Sequence, residues 1–263
     1  MAILDRELIQ DIVLKNARAD ERKFDEYRNI TIERGFIEKA EGSAKVTMGD
    51  TTVVAGVKME PGEPFEDNPD EGMLMVNAEF LPLASPEFEP GPPSEYAVEV
   101  ARLVDRMIRE SKAVDMKKLF IKDGQVWKLM IDVVILDHDG NLLDACALAA
   151  TAALMEAKIP NAEVTEEQVA VDYYTKGSVP VPLLRKPVSV TVSKIANKLL
   201  VDLTHAEESA MDARLPIGMF IEDGKTYFCS MQKGGSGGFT YEEFERALDI
   251  VEAKGKELLE LIE

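Results

Sequence analysis

The sequence predicts an α+β fold of two related βαβα units, with mixed sheets packed against helices, and three observations carry that prediction. Runs of alternating apolar and polar residues, rich in β-branched side chains, begin at Ile30 and resume at Val188. Each series leads into a stretch whose apolar residues recur at helical spacing. Turn signals at Gly49-Asp50 and Asp223-Gly224 separate strand-like runs in each half, as hairpins require. With 263 residues at 46% hydrophobic content, the chain is long enough for one large core or two smaller ones. What recurs is element order without sequence similarity, which is weak grounds for a true repeat.

Taken in order, residues 1–29 form an N-terminal helix and arm. Ile3, Leu4, Leu8, Ile12 and Val13 lie near helical spacing across the first eighteen residues, and a charged segment runs from Arg18 to Arg28. The first unit, residues 30–160, opens with strands over 30–37, 43–48, 51–59 and 73–80. The acidic, proline-punctuated stretch 60–72 is a loop by composition, and 85–95 is a second breaker cluster. Ser94 or a neighbour then caps a helix that ends near Ala113, with Val98, Ala101, Val104 and Ile108 as its buried stripe. Strands over 119–123 and 126–137 follow, turning at Asp123-Gly124-Gln125, and an alanine-rich helix from Leu142 to Ala157 is closed by Pro160. Residues 161–187 are mixed and read as a connector. The second unit, 188–263, has strands over 188–195, 198–204, 217–223 and 225–232, an acidic segment from Ala206, and a last helix from Tyr241 to Ile262.

Charge and rare residues bound the function. Thirty Lys and Arg against forty-nine Asp and Glu give a net charge of −19, which excludes coating nucleic acid through an overall positive field but allows a local basic patch. Cys146 and Cys229 cannot build a disulfide scaffold or a four-thiolate site, and their apolar surroundings suggest buried free thiols. His138 and His205 are the only histidines and leave little for zinc chemistry or a histidine-based triad, so no metal and no cofactor are expected. Neither a signal peptide nor an apolar run of about 18 residues is present, so a cytoplasmic protein without a membrane span is expected.

Three constellations could carry chemistry. Arg102, Arg106 and Arg109 stand at i, i+4 and i+7 and fall within about 60° on one helix face. They either pair along the helix with Glu99, Asp105 and Glu110, or form a row of guanidinium forks for a phosphate backbone. Asp202, Glu207, Glu208 and Asp212 could hold Mg²⁺ or act as acid and base, or form a solvated face partly neutralised by Arg214. The loop Gly234-Gly235-Ser236-Gly237-Gly238 precedes a helix but lacks the closing Lys-Ser/Thr of a P-loop, and reads as a flexible turn.

Further motifs extend beyond these. They are Arg18-Ala-Asp-Glu-Arg22, Phe24-Asp-Glu-Tyr-Arg28, Ala40-Glu-Gly-Ser-Ala44 with Thr51-Thr-Val-Val-Ala-Gly-Val57, Val104-Asp-Arg-Met-Ile-Arg-Glu-Ser111, Leu136-Asp-His-Asp-Gly140, and Val201-Asp-Leu-Thr with Glu207-Glu-Ser-Ala210. In these the chain resembles the RNase PH family, and within it the non-catalytic branch of the archaeal exosome, from about Arg18 to the last helix. The resemblance implies an RNase PH-type fold and phosphorolysis, in which inorganic phosphate attacks the 3′-terminal phosphodiester of RNA. Active members hold that phosphate with a Gly-Ser/Thr-Arg element after the Asp-Gly turn, whose arginine position here is Leu143. Their two aspartates six residues apart correspond to Glu208 and Arg214, so one carboxylate is kept and the other is replaced by a cation. The resemblance therefore implies no catalytic residues of its own, degenerate active-site positions at Leu143, Glu208 and Arg214, and RNA contacts at Arg102, Arg106 and Arg109. It also implies a ring of three heterodimers with a catalytic RNase-PH-like subunit, cap subunits carrying S1-type or KH domains, and single-stranded RNA. Two other readings are open: a self-sufficient phosphate-dependent 3′-5′ exoribonuclease, and a small-molecule or protein-binding module that kept the fold alone.

Overall fold

The structure, a computed structural model, describes residues 3–166 and 168–263; Met1 and Ala2 of the expected first helix, and Glu167 of the connector, lie outside it. In chain order the elements begin with α1 (Ile3–Leu14), β1 (Ile30–Arg34), β2 (Gly42–Met48), β3 (Thr51–Gly62), β4 (Met73–Phe80) and α2 (Glu95–Glu110). A short 3₁₀ turn at Met116–Leu119 leads to β5 (Phe120–Lys122), β6 (Gln125–Asp137) and α3 (Leu142–Glu156). Then come β7 (Lys158–Ile159), β8 (Asn161–Val164), β9 (Val169–Asp172) and β10 (Val179–Pro180). The second unit is β11 (Val188–Ile195), β12 (Lys198–Val201), α4 (His205–Ala210), β13 (Ala213–Glu222), β14 (Lys225–Met231) and α5 (Tyr241–Leu261).

The first sheet has the order β1-β2-β3-β6-β4, with β5 paired to the end of β6; only the β4–β6 pairing is parallel. The second sheet, β12-β11-β13-β14, is antiparallel throughout. Between them lies α3. Every residue from Leu142 to Leu154 is buried, the mark of a helix enclosed on all sides. It packs on β2 and β3 through one face and on β11 through another, so both units share one core. Gly140, just ahead of α3, has φ 87°, and a Cβ there would sit 2.3 Å from the Leu203 carbonyl oxygen. The crossing of the two units at this point requires glycine.

Several expectations change. The first helix ends at Leu14 because Asn16 takes a left-handed φ of 59°. Its apolar contacts are Ile9 and Val13, packed near Ile195, Leu200 and Leu203, while Leu8 is exposed; the side chains of Ile3 and Leu4 lie outside the described ones. On α2 the buried residues are Ala97, Val100, Val104, Met107 and Ile108, and Val98 is exposed. This helix meets β4, α3 and β14, so its apolar face is turned towards all three. The stretch read as a connector carries the short β8–β9 hairpin, and β10 pairs with β7. Part of the acidic segment is α4, whose Thr204 and Glu207 form a reciprocal capping box. Both thiols are free, Cys146 buried and Cys229 half-buried. Among the described residues, no helix is long and apolar enough to cross a membrane.

Candidate functional site

The N-terminal arm docks onto the start of α4 through three arginines. Arg18, itself buried, donates two hydrogen bonds to the Glu207 carboxylate at 2.9 and 2.6 Å and one to the Asp202 carbonyl at 2.7 Å. The Asp202 carboxylate accepts from Arg22 at 2.9 Å, from the Arg28 backbone at 2.7 Å and guanidinium at 2.9 and 2.8 Å, and from the Asn141 amide at 2.9 Å. Burial opposes its charge, but Arg28 more than offsets this and holds the carboxyl below its ordinary range. Asp212, in turn, accepts from the Ala196 backbone at 3.0 Å. Three of the four acids that sequence spacing offered for Mg²⁺ or acid–base work are thus engaged in holding the fold together.

Glu208 is placed differently. Its Oε1 accepts the backbone N–H of Asn141, the N-cap residue of α3, at 2.8 Å. An anion is stabilised at a helix N-terminus, and here the protein supplies its own. Burial raises this carboxyl to about 6, against the pull of the Asn141 N–H and of Arg214. Leu143, in the first turn of α3, is only 4% exposed and faces Val104 and Met107 of α2. Arg214 donates to Glu99 of α2 at 2.7 Å and its guanidinium lies 5.2 Å from the Tyr96 ring centroid. Its backbone pairs with Gly234, while Lys233 donates to the carbonyls of Gly235 and Gly237, so the glycine loop is closed on itself. Leu143, Glu208 and Arg214, the positions expected to be degenerate, thus sit about the α2–α3–β13 junction.

The arginine row lies exposed on α2, beside a shallow groove of about 350 Å³ shared with Val76 of β4. Of the helix pairings that spacing allowed, Arg109 with Asp105 forms, at 2.8 Å, and Arg109 also donates to the Leu74 carbonyl. Glu99 turns to Arg214 instead of Arg102. Among the described residues, Arg102 and Arg106 form no ion pair.

Sequence reasoning did not anticipate the meeting of the two histidines. His138 lies in the turn after β6 and His205 opens α4; their rings meet edge to face at 4.9 Å. Phe88 stacks on His138 at 5.3 Å, and Glu87 lies 3.6 Å from His205 Nε2. Burial, with His205 nearby, lowers the His138 imidazole to about 4. No local spacing signals such a contact across the two units.

Comparison with known proteins agrees with this architecture. Residues 26–160 match domain 1 of the 3′ exoribonuclease family, RNase PH, and residues 186–252 match its domain 2. The exosome complex component Rrp42 of Thermococcus gammatolerans is 46% identical over 266 residues, covering 100% of this chain and 95% of that protein. Its namesake from Archaeoglobus fulgidus is 48% identical over 250 residues, covering 94% and 91%. A solved structure of the Archaeoglobus fulgidus exosome with RNA bound to the active site gives a TM-score of 0.88 at 44% identity, covering 99% of this chain and 98% of that one. An archaeal exosome core gives 0.84 at 42% identity, covering 98% and 96%. With both domains matched in order, the chain belongs to the 3′ exoribonuclease family, RNase PH.

Proposed function

We propose that this chain is a non-catalytic subunit of a phosphorolytic 3′-5′ RNA-degrading exosome ring. Its relatives are named exosome components, and one similar solved structure contains RNA at the active site. In this reading three copies alternate with three catalytic RNase-PH-like subunits, RNA-binding caps with S1-type or KH domains sit on one face, and single-stranded RNA threads the centre. Arg102 and Arg106 contact the RNA, and Arg109 does so with part of its charge already committed to Asp105. An acidic chain can serve this purpose because only the channel lining has to be basic.

One observation carries the inactive assignment: the N-terminus of α3, the expected phosphate site, is taken by Glu208. A phosphate arriving there meets a carboxylate on its N–H donor. It finds Leu143, packed into the core, where an arginine would neutralise it. The Arg214 cation is tied to Glu99 and replaces the carboxylate needed for a divalent ion.

The test is phosphate-dependent release of nucleoside diphosphate from poly(A) with Mg²⁺, first by this chain alone and then with a catalytic RNase-PH-like partner. We expect none alone and, in the mixture, more than the partner gives by itself. Turnover that stays with the chain through repurification would instead make it a self-sufficient exoribonuclease.

A further inference from the structure

We propose that His138, His205 and Glu208 form a binding site for one divalent transition-metal ion of the zinc class, with three protein ligands and a fourth position left to water. The proposal does not depend on the RNA reading. It starts from an improbable coincidence: the chain has two histidines, 67 residues apart and on different units, and they meet. Each of the three residues offers a ligand atom within 4.8 Å of the other two. His205 and Glu208 stand three residues apart on α4, a spacing that puts both on one face.

The surroundings of each ligand suit it to a metal. Glu87 lies against Nε2 of His205, while Nδ1 of the same ring is buried with no hydrogen-bond partner. A carboxylate hydrogen-bonded to one ring nitrogen fixes the tautomer and leaves the lone pair on the other, the usual support of a metal-bound imidazole, and Glu87 at 3.6 Å is one small movement from making that bond. Phe88 stacks on His138, whose Nδ1 accepts the Gly140 N–H at 3.2 Å, so coordination through Nδ1 replaces that hydrogen bond. Glu208 uses Oε1 for Asn141; among the described residues its Oε2 accepts no hydrogen bond. Among the described residues four buried side-chain polar atoms have no partner, and three of them belong to this neighbourhood: His205 Nδ1, Tyr96 Oη and Arg214 Nε. Bonds of about 2.0–2.1 Å require the three ligands to stand closer than they do now, so His205 and Glu208 must turn towards the ion as it binds. Two imidazoles and one carboxylate favour zinc, cobalt or nickel over magnesium, which prefers oxygen ligands throughout. The ion would tie the turn after β6 in the first unit to α4 in the second.

The experiment uses the full chain, stripped by chelator and titrated with Co²⁺ as a zinc probe, followed by visible absorption. Expected are one Co²⁺ per chain, displacement by Zn²⁺ but not by Mg²⁺, and a metal-dependent rise in Tm. His205→Gln and Glu208→Gln should each weaken binding about tenfold or more, and Glu87→Gln about 10–100-fold through loss of the supporting carboxylate. His138→Phe keeps a flat ring against Phe88 and removes the ligand, so this variant separates lost binding from lost folding, as circular dichroism checks. Absence of saturable Co²⁺ absorption at millimolar metal, equal displacement by Mg²⁺, or unchanged affinity in folded His138→Phe would each overturn the proposal.

Discussion

Asp202 holds the arm, the α3 N-cap and the second sheet at once: it is 1% exposed and accepts from Arg22, Arg28 and Asn141. Replacing it with Asn removes the buried carboxylate shared by two largely buried guanidinium groups and leaves each with one acidic partner, Asp20 for Arg22 and Asp139 for Arg28. That should cost about 3–5 kcal/mol of unfolding free energy at neutral pH, read from urea denaturation. The pH dependence follows from the direction of its shift. The folded carboxyl titrates below its unfolded value of about 3.9, so its stabilisation is complete above that pH and is lost as pH falls through the folded pKa. The difference between Asp202→Asn and the wild type should therefore shrink under acid conditions; a constant difference would contradict the ion-pair account. Leu143→Arg makes a second prediction. Restoring the arginine alone forces a cation among Val104 and Met107 while Glu208 still holds the Asn141 N–H. The variant should be less stable by about 2 kcal/mol or more and release no nucleoside diphosphate on its own. Partners such as Glu99 for Arg214, 115 residues apart, leave no trace in local spacing. Local spacing therefore carries none of the electrostatics around Leu143, Glu208 and Arg214.

At the scale of elements, α2 was legible because its signals are local. Ser94 caps it, accepting from the Ala97 N–H at 3.2 Å, and its arginines project where periodicity puts them. Helix α4 was missed although Thr204 and Glu207 have the capping-box spacing, because six residues are too few for an apolar period to emerge. The short strands β8 to β10 are mostly exposed and carry no clean alternation, so nothing in their pattern marked them. The arginine row makes its own prediction. Arg102 and Arg106 have no ion pair among the described residues, whereas Arg109 gives two hydrogen bonds to Asp105. In the proposed ring, Arg102→Ala with Arg106→Ala should weaken single-stranded RNA binding. It should also lower the slope of log K against log salt by about 0.7 for each phosphate contact removed. Arg109→Ala should have the smaller effect, because its charge is already partly neutralised. Fluorescence anisotropy across a potassium chloride series distinguishes the two, and an unchanged slope in the double variant would remove these arginines from the RNA path.

At the scale of the molecule, repeated element order suggested two units, but it did not show that they share one core. Helix α3 belongs to the first unit by sequence, yet its far face carries β11 of the second. Asp144 on that helix accepts from the Thr191 backbone and hydroxyl on β11, and from the Tyr27 hydroxyl in the arm. Thr151, further along, donates to the Pro187 carbonyl at 2.7 Å. Separating the units would expose a helix that is apolar all round and leave a buried carboxyl without its donors. Such a joint makes the chain fold as one body despite its two family domains. Calorimetry should accordingly show a single transition for the full chain, with calorimetric and van't Hoff enthalpies in agreement. A fragment of residues 188–263 keeps all four strands of the second sheet and α5. It loses the α3 surface that covers Ser189 and Thr191 of β11, 9% and 6% exposed in the whole chain, and the Asp144 carboxylate that accepts from Thr191. That fragment should lack a cooperative melt by circular dichroism, whereas a folded fragment would mean that α3 is a contact between two independent domains and not their common core.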